Sequence, residues 1–243
     1  MTLDLRKHRA EVHGFGRLQE YLAQIVYGGN DGIVTTFAVV AGFAGAEATG
    51  VVGLGAIAVL IFGFANLFAD ATSMGMGAFL SARSRRDVYA VIRAQELQEI
   101  RHRIEGERAE VHAILEDRGV PEADRSAFLG VLERNPGLMA DFMMAYEFGL
   151  PDPDEDNPAR DAAYTFAAFI LFGLIPLAPY ILMPASGAAF AVSVAATFIA
   201  LTLLGLLRWY ATKERLAACL AETVLVGGLC AAVAYAVGMV VGG

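Results

Sequence analysis

A long apolar stretch near the N-terminus decides the fold class. Residues 22–46 have the sequence LAQIVYGGNDGIVTTFAVVAGFAGA, in which Asp31 is the single charged residue. A helix needs about 20 residues to cross the apolar layer of a bilayer. Four more stretches are long enough, at residues 51–82, 162–184, 188–207 and 216–241. The sequence therefore predicts an all-α, polytopic membrane protein with five transmembrane helices.

A polar insertion separates the second and third spans. Of the 243 residues, 18 are basic and 26 acidic, and residues 83–160 hold 11 and 17 of these. The other charges are too few to cover a water-soluble protein. Pro121 and Pro136 divide the insertion into three predicted helices, the first running from about Arg85 to Asp117. We expect an N-terminal amphipathic segment (1–20), spans 1 and 2 (21–82), a cytoplasmic helical domain (83–160) and spans 3–5 (161–243).

The basic residues predict the orientation. All 18 lie in the N-terminal segment, in the insertion or in the 208–215 turn, and none lies near 46–51, near 184–188 or at the C-terminus. Basic residues collect on the cytoplasmic side, so we expect the N-terminus and the insertion inside and the C-terminus outside. The net charge of −8 argues against nucleic-acid binding. Arginine outnumbers lysine 16 to 2, which is typical of a GC-rich bacterial genome and predicts a bacterial inner membrane.

The first insertion helix carries four glutamates with the spacing E-x2-E-x7-E-x2-E. They are Glu96, Glu99, Glu107 and Glu110. On one continuous helix they would fall within an arc of about 80°. Like charges on one helix face are destabilising, so something should compensate them. A divalent cation would do so, but so would Arg103, which falls in the same arc, or simple solvation. The spacing leaves these alternatives open.

The third insertion helix offers sulfur next to a carboxylate. Met143 and Glu147 are four residues apart and share a face, and Met144 is adjacent. Thioethers beside carboxylates suit a transition metal better than Mg²⁺ or Ca²⁺. The alternative is that both methionines pack in the helix bundle.

Polar residues inside the first two spans are candidates for an ion path. Asp31 lies about nine residues into the first span, and an acid at that depth indicates function unless water reaches it through a break at the neighbouring glycines. In the second span Asn66, Asp70 and Met74 recur every four residues, and Met76 follows. Packing is the alternative for the two methionines.

Other features exclude reaction classes. Glu99 and His102 form one Glu-x-x-His, whereas di-iron bundles use two, so a di-iron enzyme is disfavoured. No GxxxxGK[ST] phosphate loop occurs, which excludes a P-loop ATPase in this chain. Glu222 opens the fifth span and is expected at the membrane interface near Lys213 or Arg215.

Four motifs resemble those of the vacuolar iron transporter family, in a bacterial-type member. They are YGGNDGIVTTF at 27–37, SMGMGAFLS at 73–81, FMMAYEFGL at 142–150 and PLAPY at 176–180. The resemblance implies a homodimer of five-span subunits that exports Fe²⁺, and also Mn²⁺, in exchange for protons. It implies no permanently bound cofactor, since the metal is the substrate. Plant members carry glutamate where this chain has Asn66.

The resemblance also implies roles for the candidate residues. Asp31 would bind metal and proton alternately, and Met74 would lie at the pore entrance. The cytoplasmic metal-binding residues would be Glu96, Glu99, Glu107, Glu110, Met143, Met144 and Glu147. We therefore expect a transporter rather than an enzyme. The competing hypothesis is a membrane-anchored metal-binding or metal-sensing protein that does not transport, which would not need the acids inside the spans.

Overall fold

The computed structural model describes His8, Val12 and residues 17–48, 55–153, 157–183 and 187–242. Most of the N-terminal segment predicted for residues 1–20 lies outside these ranges. Nine helices have described bounds, and no strand occurs among the described residues. The helices are α1 (Arg17–Glu20), α2 (Leu22–Ala48), α3 (Ala56–His102), α4 (Ile104–Asp117), α5 (Glu122–Glu133), α6 (Pro136–Tyr146), α7 (Pro158–Leu182), α8 (Ala189–Thr212) and α9 (Leu216–Gly242).

Five of these helices are long and apolar enough to cross a bilayer. They are α2, α3, α7, α8 and α9. The prediction of an all-α protein with five transmembrane helices is confirmed. Helix α3 is much longer than a membrane requires, because its 47 residues run from the apolar second span into the charged insertion without a break.

The chain divides into two compact units. The first contains Met1–Phe79 and Ala159–Gly243, and the second contains Leu80–Pro158. In the first unit α2 packs against both α8 and α9. Its apolar core includes Val40 of α2, Leu67 of α3 and Phe169 of α7, all fully buried. Apolar side chains from three spans therefore meet around α2.

Glycines allow two spans to approach closely. Gly28 and Gly32 lie one helical turn apart on α2, and a Cβ added at either would overlap a backbone carbonyl oxygen of α7, that of Thr165 or Phe169. Small residues at such contacts allow van der Waals packing between helices in lipid. Alanine has no room at either position.

The second unit consists of the end of α3 with α4, α5 and α6. Its core is apolar and includes Ile100, Val111 and Leu132. Pro121 precedes α5, Pro136 opens α6 and Gly149 has a left-handed φ of +65° three residues after α6. The prediction of one helix from Arg85 to Asp117 is wrong. Helix α3 ends at His102 and α4 begins at Ile104, with Arg103 between them at φ −137° and ψ 37°.

Candidate metal-binding and transport residues

The break at Arg103 brings together two glutamates that are distant in sequence. Glu96 on α3 and Glu107 on α4 are eleven residues apart, which would separate them by about 16 Å on a straight helix. In the structure their carboxyl groups are within hydrogen-bonding reach of each other. The change of chain direction at Arg103, rather than a shared face of one helix, places these two carboxyls together.

Both carboxyls are removed from solvent. Glu96 is 6% exposed and Glu107 is 2% exposed. Among the described residues, Oε1 of Glu96 and Oε2 of Glu107 have no hydrogen-bond donor. A buried carboxylate is costly unless it is paired, protonated or bound to a cation. We therefore expect this pair of carboxyl groups to hold a proton or to bind a cation.

Three exposed glutamates add to the negative charge of this pair. They are Glu99, Glu110 and Glu147, and we call the five residues together the glutamate cluster. Burial raises the pKa of Glu96 well above its usual range, and the hydrogen bond to Glu107 and the neighbouring carboxylates raise it further. Burial first, and then charges within the cluster, also raise the pKa of Glu110 and Glu147.

Three arginines of the second unit pair with acids outside the glutamate cluster. Arg93 binds Asp141 at 2.7 Å, while Arg108 and Arg125 pair with glutamates outside the cluster. In the part of this unit that the structure describes, no Lys, Arg or His pairs with the glutamate cluster, and Arg103 does not compensate it. Solvation remains open for the three exposed members, but not for Glu96 and Glu107.

The methionines of α6 are fully buried. Met143 belongs to the apolar core of the second unit with Val111 and Leu132, which is the packing role that the sequence left open. Met144 is also fully buried. The backbone N–H of Glu147 donates to the Met143 carbonyl at 2.9 Å, so the two residues are one turn apart as expected. Metal binding by either sulfur stays a prediction.

The glutamate cluster is not a preformed metal cage. No three His, Cys, Asp or Glu side chains in the described ranges are placed to hold one ion together. Binding by three or more of these carboxylates would therefore require side-chain rotation. The exposed members can rotate, because no partner among the described residues fixes them.

Two carboxylates lie near each other within the transmembrane helices. Asp31 of α2 and Asp70 of α3 are both partly buried and close enough for their charges to interact. Within the described residues neither forms an ion pair with a base. The sequence predicts an ion path through both residues, and in the structure their charges are near enough to interact. Met74, one turn after Asp70, packs against the apolar core of the first unit, and Met76 is 54% exposed.

An open groove of about 760 Å³ runs between α2, α3 and α9. Its walls are apolar, and Asn66 is the one polar side chain among its lining residues. The lining residues Ala38 and Gly42 share a face of α2 with Asp31, and Asn66 lies one turn before Asp70. The groove and the two aspartates therefore occupy the same side of this helix pair.

Glu222 forms an ion pair across the turn between α8 and α9. Glu222 pairs with Arg208 at 3.1 Å, rather than with Lys213 or Arg215. Arg208 on α8 and Glu222 on α9 are brought together because the two helices pack as neighbours across the short turn. A search for opposite charges at similar distances from that turn would have found Arg208.

Comparison with known proteins agrees with this architecture. Residues 22–239 match the sequence model of the VIT family. The chain belongs to the VIT family. It is 36% identical to vacuolar iron transporter 1 of Arabidopsis thaliana over 98% of this chain and 92% of the relative. The corresponding protein of Eucalyptus grandis is 35% identical over 89% and 84%. A vacuolar iron transporter of Plasmodium berghei is 31% identical over 93% and 83%.

Membership covers both units of the chain. The matched region contains four of the five apolar helices, nearly all of the fifth, and the complete second unit with its glutamate cluster. This VIT-family chain is therefore a multi-pass membrane protein whose polar insertion is part of the family architecture rather than an added domain.

Proposed function

We propose that this chain is a proton-coupled transporter that exports Fe²⁺ from the cytosol, with Mn²⁺ as a further substrate. Relatives named vacuolar iron transporters support iron as the cargo. The observation that carries the proposal is the Asp31–Asp70 pair, in which two carboxylates interact inside the transmembrane helices without a base among the described residues. A purely structural role would favour an opposite charge at this place.

The glutamate cluster would gather the metal ion. Five carboxylates without a basic partner in the described ranges attract divalent cations, and two of them are buried where a cation would replace the missing hydrogen bonds. Carboxylates alone suit Mg²⁺ or Mn²⁺ as well as Fe²⁺. A thioether ligand from Met143 or Met144 would shift the metal preference of the cluster towards iron. We propose both methionines as ligands because they lie beside Glu147 in the sequence.

The aspartates would exchange the metal for protons. An unpaired charged carboxylate inside a membrane is costly, so each is expected to hold a cation or a proton. Because a metal binds the deprotonated form, the two ligands compete for Asp31. Protonation from the outside would release the metal there. Asp70 would receive the ion first, with Asn66, Met74 and Met76 along the same helix.

We also propose that two copies associate across the groove between α2, α3 and α9. The groove is open and apolar, and it lies on the side that carries Asp31 and Asp70. A second copy would cover the apolar walls and enclose a polar path between the subunits. Replacing Ala38 by cysteine should give a disulfide-linked dimer on mild oxidation, whereas Val192→Cys on the exposed side of α8 should not.

The proposed location is a bacterial inner membrane, with the second unit in the cytoplasm. Arginine usage and the positions of the basic residues support this, while the named relatives come from plants and apicomplexans. Cysteine labelling of an exposed residue of the second unit in intact cells would test the orientation. Labelling from the outside would overturn it.

Reconstitution tests transport itself. Vesicles that contain the protein and a metal-sensitive dye should accumulate Fe²⁺ when a pH gradient is imposed, and collapsing the gradient should stop the uptake. Metal binding by the purified protein without any uptake would favour the competing function, a membrane-anchored metal-binding protein. Uptake that does not depend on the pH gradient would refute the proposed proton coupling but would still support metal transport.

A further inference from the structure

A second cavity, of about 500 Å³, lies between α2, α8 and α9. It shares no lining residue with the groove that contains Asn66. The Arg208–Glu222 ion pair lies in its wall, with a distance of 3.1 Å between Nη2 and Oε2. A cavity of this size is large enough for a small polar group.

The cavity wall has unused hydrogen-bonding capacity. The Arg208 side chain is three-quarters buried, yet its one hydrogen bond among the described residues goes to Glu222. In the same described set, the hydroxyl of Tyr27 and the side-chain amide of Asn30 have no partner. A guanidinium offers five donors, so most of those on Arg208 are free for a ligand.

The cavity combines polar and apolar parts in the way that a lipid requires. Val26 and Val226 form apolar walls beside the ion pair. Tyr27 is 66% exposed, and tyrosine is typical of the membrane interface. Glu222 lies about 9 Å from the start of α9, and Arg208 lies near the end of α8. These ends join the basic turn that we place on the cytoplasmic side.

We propose that this cavity binds the headgroup of a phosphoethanolamine-type lipid from the cytoplasmic leaflet. The phosphate would accept hydrogen bonds from Arg208, and the primary ammonium would donate to Glu222. An anionic headgroup without an amine would satisfy Arg208 but meet the charge of Glu222. A choline headgroup has no N–H to donate, so it cannot hydrogen-bond to that carboxylate.

Native mass spectrometry of the delipidated, detergent-solubilised chain tests this. The protein is mixed with equal amounts of phosphatidylethanolamine, phosphatidylcholine and phosphatidylglycerol that have identical acyl chains. The ethanolamine lipid should be retained about tenfold better than the choline lipid, as expected for one charge-assisted hydrogen bond. Equal retention of these two lipids, or best retention of phosphatidylglycerol, would overturn the proposal.

A pair of variants locates the site. Glu222→Gln should abolish the preference for the ethanolamine lipid. Glu214→Gln makes the same chemical change in the adjacent turn, at an exposed residue outside the cavity, and should keep the preference. A preference that survives Glu222→Gln would refute the assignment. If that variant does not fold, the three-lipid comparison on the parent chain still decides.

Discussion

Glu96 and Glu107 lie against each other as a buried carboxyl pair, although they belong to different helices and are eleven residues apart in sequence. No basic residue neutralises them in the described part of the second unit. Two such groups are tolerable when a proton or a metal ion lies between them. The pair therefore links the stability of the second unit to pH and to metal.

The stability of the metal-free protein should fall as the pH rises. The pKa of Glu96 is raised to about 8 in the folded state, so the folded protein binds more protons than the unfolded chain and loses stability as the pH passes from the usual carboxyl range to that value. A tenfold difference in proton affinity between the two states is worth about 1.4 kcal/mol. Thermal unfolding between about pH 5 and pH 8 measures the predicted fall in stability. Glu96→Gln should flatten the dependence, and an unchanged slope would contradict the assignment.

Glu107→Gln should weaken divalent-metal binding by about tenfold or more, since it removes a buried charged ligand. Titration calorimetry with Mn²⁺, which is stable in air, measures the affinity. Glu105→Gln is the matched control, because Glu105 lies on the same helix but pairs with Arg108. If both variants lose affinity equally, the effect is one of general charge and the buried pair is not the site.

Gly32→Ala should destabilise the first unit by about 1–3 kcal/mol, the usual cost of overpacking. The added methyl would overlap the Phe169 carbonyl oxygen. Gly77→Ala on α3 is the control, because a Cβ there meets nothing within 4 Å. Thermal stability in detergent measures both. Equal melting temperatures would show that α2 and α7 are not in close contact.

Filling the groove between α2, α3 and α9 should disrupt association. Ala69→Trp places a large side chain in the groove, so the protein should run as a monomer in size-exclusion chromatography with light scattering. Val192→Trp adds the same bulk on the exposed side of α8 and should leave the dimer intact. A parent chain that is already monomeric would refute the proposed pairing.

The spans were predictable because a bilayer imposes a length and an apolar composition on each. Residues 22–46 and 216–241 were expected, and helices Leu22–Ala48 and Leu216–Gly242 are observed. The break at Arg103 was not predicted, since no glycine or proline occupies that position and Gly106 lies three residues further on. It depends on tertiary packing of α4 against its neighbours, which overrides local helix propensity.

The candidate sites, too, were predictable only in part from the sequence. Helical spacing related Asn66 to Asp70, but the approach of Asp31 to Asp70 depends on how two spans pack. The sequence analysis placed four glutamates on one face of a single helix. In the structure they lie on two helices, and the change of chain direction between these helices places them near each other. The Arg208–Glu222 pair was missed because sequence separation does not show which residues face each other across a helical hairpin.

Proton-coupled Fe²⁺ flux in reconstituted vesicles tests the central claim most directly, with Asp31→Asn compared with the parent and with Glu47→Gln. Glu47 is an exposed carboxylate near the end of the same helix. The account predicts that Asp31→Asn lowers both metal uptake and proton counterflow by at least about tenfold, as loss of a charged ligand implies, while Glu47→Gln keeps both. Transport by Asp31→Asn at the parental rate, with proton counterflow intact, would contradict it.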